Sequence, residues 1–152
     1  MIARPTTEQV LLDCCRVLTD DVLPALGDPV AQVRVVMLEK VLRNAAVRAA
    51  GEIAWMREEI ATIEDYARKV LDRTSGDPVR QALAVLTAGP RDSLLLDDVV
   101  ESYCRAGDAL SAALEAVLAA GCRDLQHDGE QLLEQRLHRE DAVVGGWQSA
   151  GR

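Results

Sequence analysis

The groups in this chain able to do chemistry are few, and their spacing argues against most of the chemistry they would do. Its two histidines are His127 and His138. A di-iron bundle takes a Glu-x-x-His pair from each of two helices, but Asp124 stands three residues before His127 and Gln135 three before His138. On a continuous helix the two rings share a face but lie roughly 16 Å apart along the axis, too far for one metal ion. Glu134 and His138 are one turn apart and can orient each other. A surface pair is the expected reading, with proton transfer as the sharper alternative. Cys14 and Cys15 point about 100° apart on a helix, and Cys104 and Cys122 stand far from them in sequence. Reduced cysteines packed as small hydrophobes are expected. Residues 92–122 hold six acids against the single base Arg105. Asp97, Asp98 and Glu101 among them gather near a helix start, where acids face water and favour the helix dipole. Such a face is suited to a basic partner patch rather than to acid–base catalysis. There is no phosphate-cradling glycine loop, no nucleophile elbow and no zinc-spaced cysteine pair. No catalytic residue, metal or cofactor is therefore expected.

Candidate binding residues are of another kind. Asn44 and Arg48 continue an apolar stripe, Val33, Met37 and Val41, and lead towards Trp55. Polar groups in that position either fix the register of neighbouring helices or line a pocket, and Tyr103 is the aromatic that would join Trp55 there. Arg34, near a helix start, is placed to hold an anionic group. Trp147 follows two glycines in a polar tail, so it either folds back onto the body or anchors a partner.

Punctuation shows what must position these residues. Thr6 with Gln9 makes a capping box, and Val10, Leu11, Cys14, Leu18 and Val22 then form one face until Pro24. Gly27-Asp28-Pro29 supplies a break, a cap and a first-turn proline, a signal repeated at Gly76-Asp77-Pro78. Between them Ala31, Val35, Leu38, Leu42, Ala45, Ala49, Ile53, Met56, Ile60, Ile63, Ala67 and Val70 recur at spacings of three and four. This predicts one helix over about 30–72, roughly 65 Å long, or two hinged near Gly51. With Val33, Met37 and Val41 as a second stripe, its first half is expected to be buried on a broad face. The second half is expected to present a narrow seam to one neighbour. A short helix over 78–87 follows. A third long element, capped by Asp92 or Ser93, carries Leu96, Val100, Tyr103, Gly107, Leu110, Leu114 and Val117 and ends at Gly121. Gly107 costs about 1 kcal/mol against Ala in a helix, so a close helix approach is expected there. Residues 122–144 read as a more polar last helix and 145–152 as a tail. The expected fold is all-α: an up-down bundle of four main helices in a single domain, 1–144.

Composition agrees. The chain has 152 residues, 49% apolar, 3% aromatic and without Phe, which suits closely spaced Ala, Leu and Val seams and excludes a disordered chain. Its net charge is -8, made of -2 over residues 1–76 and -6 over 77–152. That balance argues against nucleic acid and anionic membrane surfaces as partners. No apolar run approaches the ~20 residues of a membrane span, and no signal segment opens the chain, so a soluble cytoplasmic protein is expected.

The first third carries a resemblance. Arg4-Pro5-Thr6, Leu11-Leu12, Asp21-Val22-Leu23-Pro24-Ala25-Leu26 and Arg34-Val35 resemble a family of small bacterial helical proteins of unknown function. Its genes commonly lie beside an aminoglycoside-phosphotransferase-like kinase and an acyl-CoA dehydrogenase-like enzyme. Family members place an asparagine just after the Arg-Val pair, where this chain reads Val36-Met37-Leu38-Glu39. The resemblance implies a non-catalytic accessory subunit that binds such a kinase, in hydroxyacyl-CoA metabolism. The alternative is a small stand-alone enzyme or ligand-binding bundle with a pocket near Asn44, Arg48, Trp55 and Tyr103. A homodimer through the second half of the long helix is compatible with either.

Overall fold

The structure, a computed structural model, describes residues 4–74 and 76–144; Trp147 and the tail 145–152 lie outside them. It is all-α, with no strand among the described residues. Helix α1 (Thr7–Val17) passes through a π-helical segment (Leu18–Val22) into the short α2 (Leu23–Ala25). Then come α3 (Pro29–Arg73), α4 (Asp77–Thr87), α5 (Leu96–Ala120) and α6 (Arg123–Val144). The very long helix is present, 45 residues and helical through Gly51. The chain falls into two compact units, one of residues up to Glu52 with those from Glu140, the other Ile53–Arg139.

Local chemistry explains the boundaries. The capping box at Thr6 is formed in both directions: Gln9 N–H donates to Thr6 Oγ1 at 3.2 Å and Thr6 N–H to Gln9 Oε1 at 3.0 Å. Pro24 has no N–H to give to the turn before it. The helix widens there instead of stopping, with Leu23 N–H reaching back five residues to the Leu18 carbonyl. The two Gly-Asp-Pro signals are used differently. Asp28 caps α3 through both carboxylate oxygens, accepting from Val30 and Ala31 N–H. Asp77 caps nothing and pairs with Arg80 at 2.5 Å, leaving Gly76 as the N-cap of α4. The start of α5 is later than the sequence suggests: Leu95 holds the cap position without a side-chain cap bond, and Ser93 Oγ accepts from Leu95 N–H instead. Gly121 ends α5 at φ 65, a conformation that favours glycine.

In the second unit α3 and α6 run antiparallel along a ladder of polar contacts. It passes from Arg73–Asp124 (2.5 Å) through Lys69–Asp128 (3.8 Å) to Glu59–Arg136 (3.3 Å) and Arg139 to the Trp55 carbonyl (3.1 Å). The Arg73 guanidinium holds the Asp124 carboxyl below the usual carboxylate range. Helix α4 turns back along α5, with Gly76 beside Ala116 and Gly89 beside Ser102 and Arg105. The short helix is thus a full member of an up-down arrangement of α3, α4, α5 and α6. Its core is Ile63, Tyr66, Ala67, Val70, Val79, Leu86, Ala106, Ala109, Leu110, Ala113, Val117, Leu125 and Leu132. Four of these are alanines without measurable exposure, the small side chains that a core poor in aromatics needs to bring helices close. The seam of α3 expected to meet one neighbour is therefore spent on a core that all four helices share.

The first unit is built on less. Cys15 is buried, and its Sγ donates to the Glu39 carbonyl at 3.5 Å; burial, then Glu39, pushes its thiol pKa up. Gln32 Nε2 donates to the Leu26 carbonyl at 2.8 Å, and Ala46 is buried. Cys14 and Cys104, by contrast, are exposed, and all four cysteines are free. The broad burial expected for the first half of α3 is not found, because Val33, Met37 and Val41 are all exposed.

Close approach is also found at a different glycine. A Cβ on Gly107 would meet nothing within 4 Å, whereas one on Gly129 would lie 2.6 Å from both Leu114 Cδ2 and the Tyr66 hydroxyl oxygen. Tyr66 cannot swing away freely, since its hydroxyl donates to the Leu125 carbonyl at 3.0 Å in a buried setting. Alanine in place of glycine gains about 1 kcal/mol in a helix, and overpacking costs about 1–3 kcal/mol. Gly107→Ala is expected to stabilise the protein by about 0.5–1 kcal/mol. Gly129→Ala is expected to destabilise it by about 1 kcal/mol net, less in a Tyr66→Phe background; urea unfolding of the wild type, the three single variants and the double variant checks both signs.

Candidate functional site

Two places in the structure gather the residues singled out by the sequence. The first lies in the second unit, around Glu59. This is the one buried charged side chain among the described residues, 6% exposed. Ionised carboxylates are rarely buried without partners, and Glu59 has three. The Tyr103 hydroxyl donates to Oε1 at 2.8 Å, Arg136 Nε lies 3.3 Å from the same oxygen, and Arg139 Nη1 lies 3.6 Å from Oε2. Arg139 also donates to the Trp55 carbonyl at 3.1 Å and reaches Glu58 at 3.6 Å. Trp55 meets Tyr103 edge to face, with ring centroids 6.2 Å apart and planes at 87°. The Arg136 guanidinium sits 5.3 Å from the Tyr103 ring centroid, within cation–π range.

Helical spacing assembles this cluster. Trp55, Glu58 and Glu59 occupy one turn of α3, Arg136 and Arg139 one turn of α6, and the antiparallel pairing sets the two turns side by side. Tyr103 comes from α5. The sequence pointed to Trp55 and Tyr103, and the structure brings them together. It did not single out Glu59, Arg136 or Arg139. A usable signal was there: Glu58-Glu59 and the Arg136/Arg139 pair have opposite charges and lie on helices that must run antiparallel.

Chemically the cluster is a lock. Its hydroxyl, carboxylates and guanidinium groups are directed at one another, and no buried side-chain N or O among the described residues lacks a hydrogen-bond partner. Tyr66, lower on the same seam, has its phenol pushed up by burial and then by Asp128, and its proton is committed to Leu125. Among the described residues there is also no group of three His, Cys, Asp or Glu placed to hold a metal ion.

The second place lies in the first unit, on α3. At about 100° per residue, Val33, Met37 and Val41 form one stripe directly opposite the buried Ala46, with Arg34 and Lys40 to either side. The three apolar side chains are 60%, 53% and 52% exposed, and Arg34 and Lys40 are exposed as well. Asn44, half-buried, and Arg48, exposed, extend the stripe. Arg48 Nε donates to Glu52 at 2.8 Å, an exposed pair of small energetic weight. On the flank that α3 turns towards α1, an open groove of about 480 Å³ is lined by Val10, Asp13, Cys14, Val17, Leu18, Leu38 and Leu42. Arg43 and Arg48 are paired with Glu39 and Glu52, so the positive rim of this apolar surface is Arg34 and Lys40, on a chain of net charge -8.

The lock makes a stability prediction. Removing one partner of a buried pair costs about 3–5 kcal/mol, but Arg136 and Arg139 are each about a third exposed and recover hydration. Glu59→Ala is therefore expected to cost about 2 kcal/mol, and Glu59→Gln, which keeps an acceptor for Tyr103, about half of that. Urea denaturation monitored by tryptophan fluorescence measures both. Compared with known proteins, the chain matches no family model, no curated protein and no solved structure.

Proposed function

We propose that this protein is a non-catalytic accessory subunit that docks a partner protein on the α3 stripe and stabilises or activates it. The observation that carries this reading is the row of exposed apolar side chains, Val33, Met37 and Val41, standing opposite the face that α3 buries. Full burial of such a side chain is worth about 1.5–3 kcal/mol. Each is roughly half exposed, so covering all three supplies about 3 kcal/mol, more than a hundredfold in affinity. Arg34 and Lys40 on the rim select a partner surface edged with Asp or Glu. They also disfavour stripe-to-stripe pairing of two copies, which would bring like charges together. The partner we propose is a phosphotransferase-like kinase acting in hydroxyacyl-CoA metabolism; it follows from the resemblance of the first third of the chain.

A ligand-binding or enzymatic bundle has less support. Trp55 and Tyr103 pack on each other, the Tyr103 hydroxyl is bound to Glu59, and Arg48 is bound to Glu52. Among the described residues no helix is long and apolar enough to cross a membrane.

Co-expression with a phosphotransferase-like kinase from the same genome, followed by size-exclusion chromatography, tests the proposal. A single peak holding both proteins is expected, and Met37→Glu is expected to split it into two without unfolding either. Two peaks for the wild type, with kinase activity unchanged on mixing, would refute the reading.

A further inference from the structure

The end of the α4–α5 linker and the first residue of α5 present three consecutive leucines to solvent: Leu94 is 73% exposed, Leu95 69% and Leu96 44%. A leucine at the N-cap position of α5 forgoes about 1 kcal/mol that Ser, Thr, Asp or Asn would supply there. Scattered single apolar residues on a surface need no explanation, but a contiguous cluster does. This one is also tied down. The Arg57 guanidinium donates to the Ser93 carbonyl, Arg91 pairs with Glu64 at 3.0 Å, and Ser93 Oγ donates to Asp98 Oδ2 at 2.5 Å. The leucines are therefore held outward on an anchored loop, which lowers the ordering cost of docking.

Charge says what such a tip meets. Glu101 is paired with Arg105 and Arg91 with Glu64, while Asp92 and Asp97 flank the leucines, so the tip is apolar with a negative rim. It fits an apolar surface with a positive rim and is repelled by anionic lipid. The stripe of α3 is such a surface, with the exposed Arg34 and Lys40 on either side of Val33, Met37 and Val41. Tip against tip would oppose acids, and stripe against stripe would oppose bases; tip against stripe pairs both the apolar groups and the charges.

We infer that the leucine tip of one copy docks on the α3 stripe of a second copy. The contact is heterologous, so each copy offers one tip and one stripe and association runs head to tail. A partner seated on the stripe displaces the second copy, so the free subunit assembles with itself and disperses when the partner arrives. This rests on the stripe being a docking surface, as proposed above, and not on the identity of the kinase.

Sedimentation velocity of the full chain without any kinase tests it, using a tip variant, Leu94→Ser with Leu95→Ser, and a stripe variant, Val33→Ser with Met37→Ser. All four side chains are exposed, and circular dichroism verifies that both variants fold. The wild type is expected to sediment faster as concentration rises, and less so at high salt. Each variant alone is expected to associate at least tenfold more weakly. An equimolar mixture of the two is expected to form a one-to-one dimer that does not grow, because only one tip and one stripe remain intact. A wild type that is monomeric at every concentration overturns the inference. So does wild-type association that the tip variant leaves unchanged, a mixture that stays monomeric, or a tip that binds phosphatidylcholine vesicles while the chain stays monomeric. Failure here leaves kinase binding untouched, and failure to bind the kinase leaves this result standing.

Discussion

The second unit depends on how closely α6 approaches α3. Gly129 lets the Tyr66 ring pass beneath α6, and the Tyr66 hydroxyl fixes the spacing by its bond to the Leu125 carbonyl. At that distance the rest of the ladder falls into reach: Arg73 to Asp124 at one end, Arg136 and Arg139 to Glu59 at the other. The alanines at 67, 106, 109 and 113 serve the same geometry. In a core with so few aromatic rings, stability comes from bringing backbones close and filling the remaining space with Val, Ile and Leu. The polar groups drawn in by that closeness must then be paired, and the Glu59 cluster pairs them.

The first unit obeys a different constraint. Its buried side is small, centred on Cys15 and Ala46, and the opposite side of α3 carries more apolar surface than its own unit covers. One helix thus has a closed use in its second half and an open one in its first. That contrast is what supports the proposed accessory-subunit reading: the polar groups around Glu59 are paired with one another, and the apolar stripe of α3 is uncovered.

Much of this was legible in the residues. Three-and-four spacing from Ala31 to Val70 defines α3 to within a residue at each end, and Thr6 with Gln9 and Gly121 mark their caps correctly. The misreadings have physical causes. Periodicity reports that Val33, Met37 and Val41 share a face but not whether this chain covers it, so broad burial was expected where exposure is found. Gly107 stood out because it interrupts an apolar stripe, while Gly129 in a polar helix drew no notice, though it is the one that meets Tyr66. Asp92 and Ser93 have good capping chemistry, yet Ser93 is engaged with Asp98 and Arg57, and α5 starts at Leu96. Glu59 sat in a run of charged residues that looked like a solvated border. Only the pairing of α3 with α6 shows that it points inward.

The proposed accessory role requires a partner that covers the α3 stripe. Amide hydrogen exchange of the chain, alone at a dilution where it is monomeric and saturated with the proposed partner kinase, measures this directly. That role predicts slowed exchange over the first half of α3, centred on Val33, Met37 and Val41, with little change between Ile53 and Arg139. Protection confined to the helices around Glu59, with the stripe exchanging as in the free protein, would contradict it.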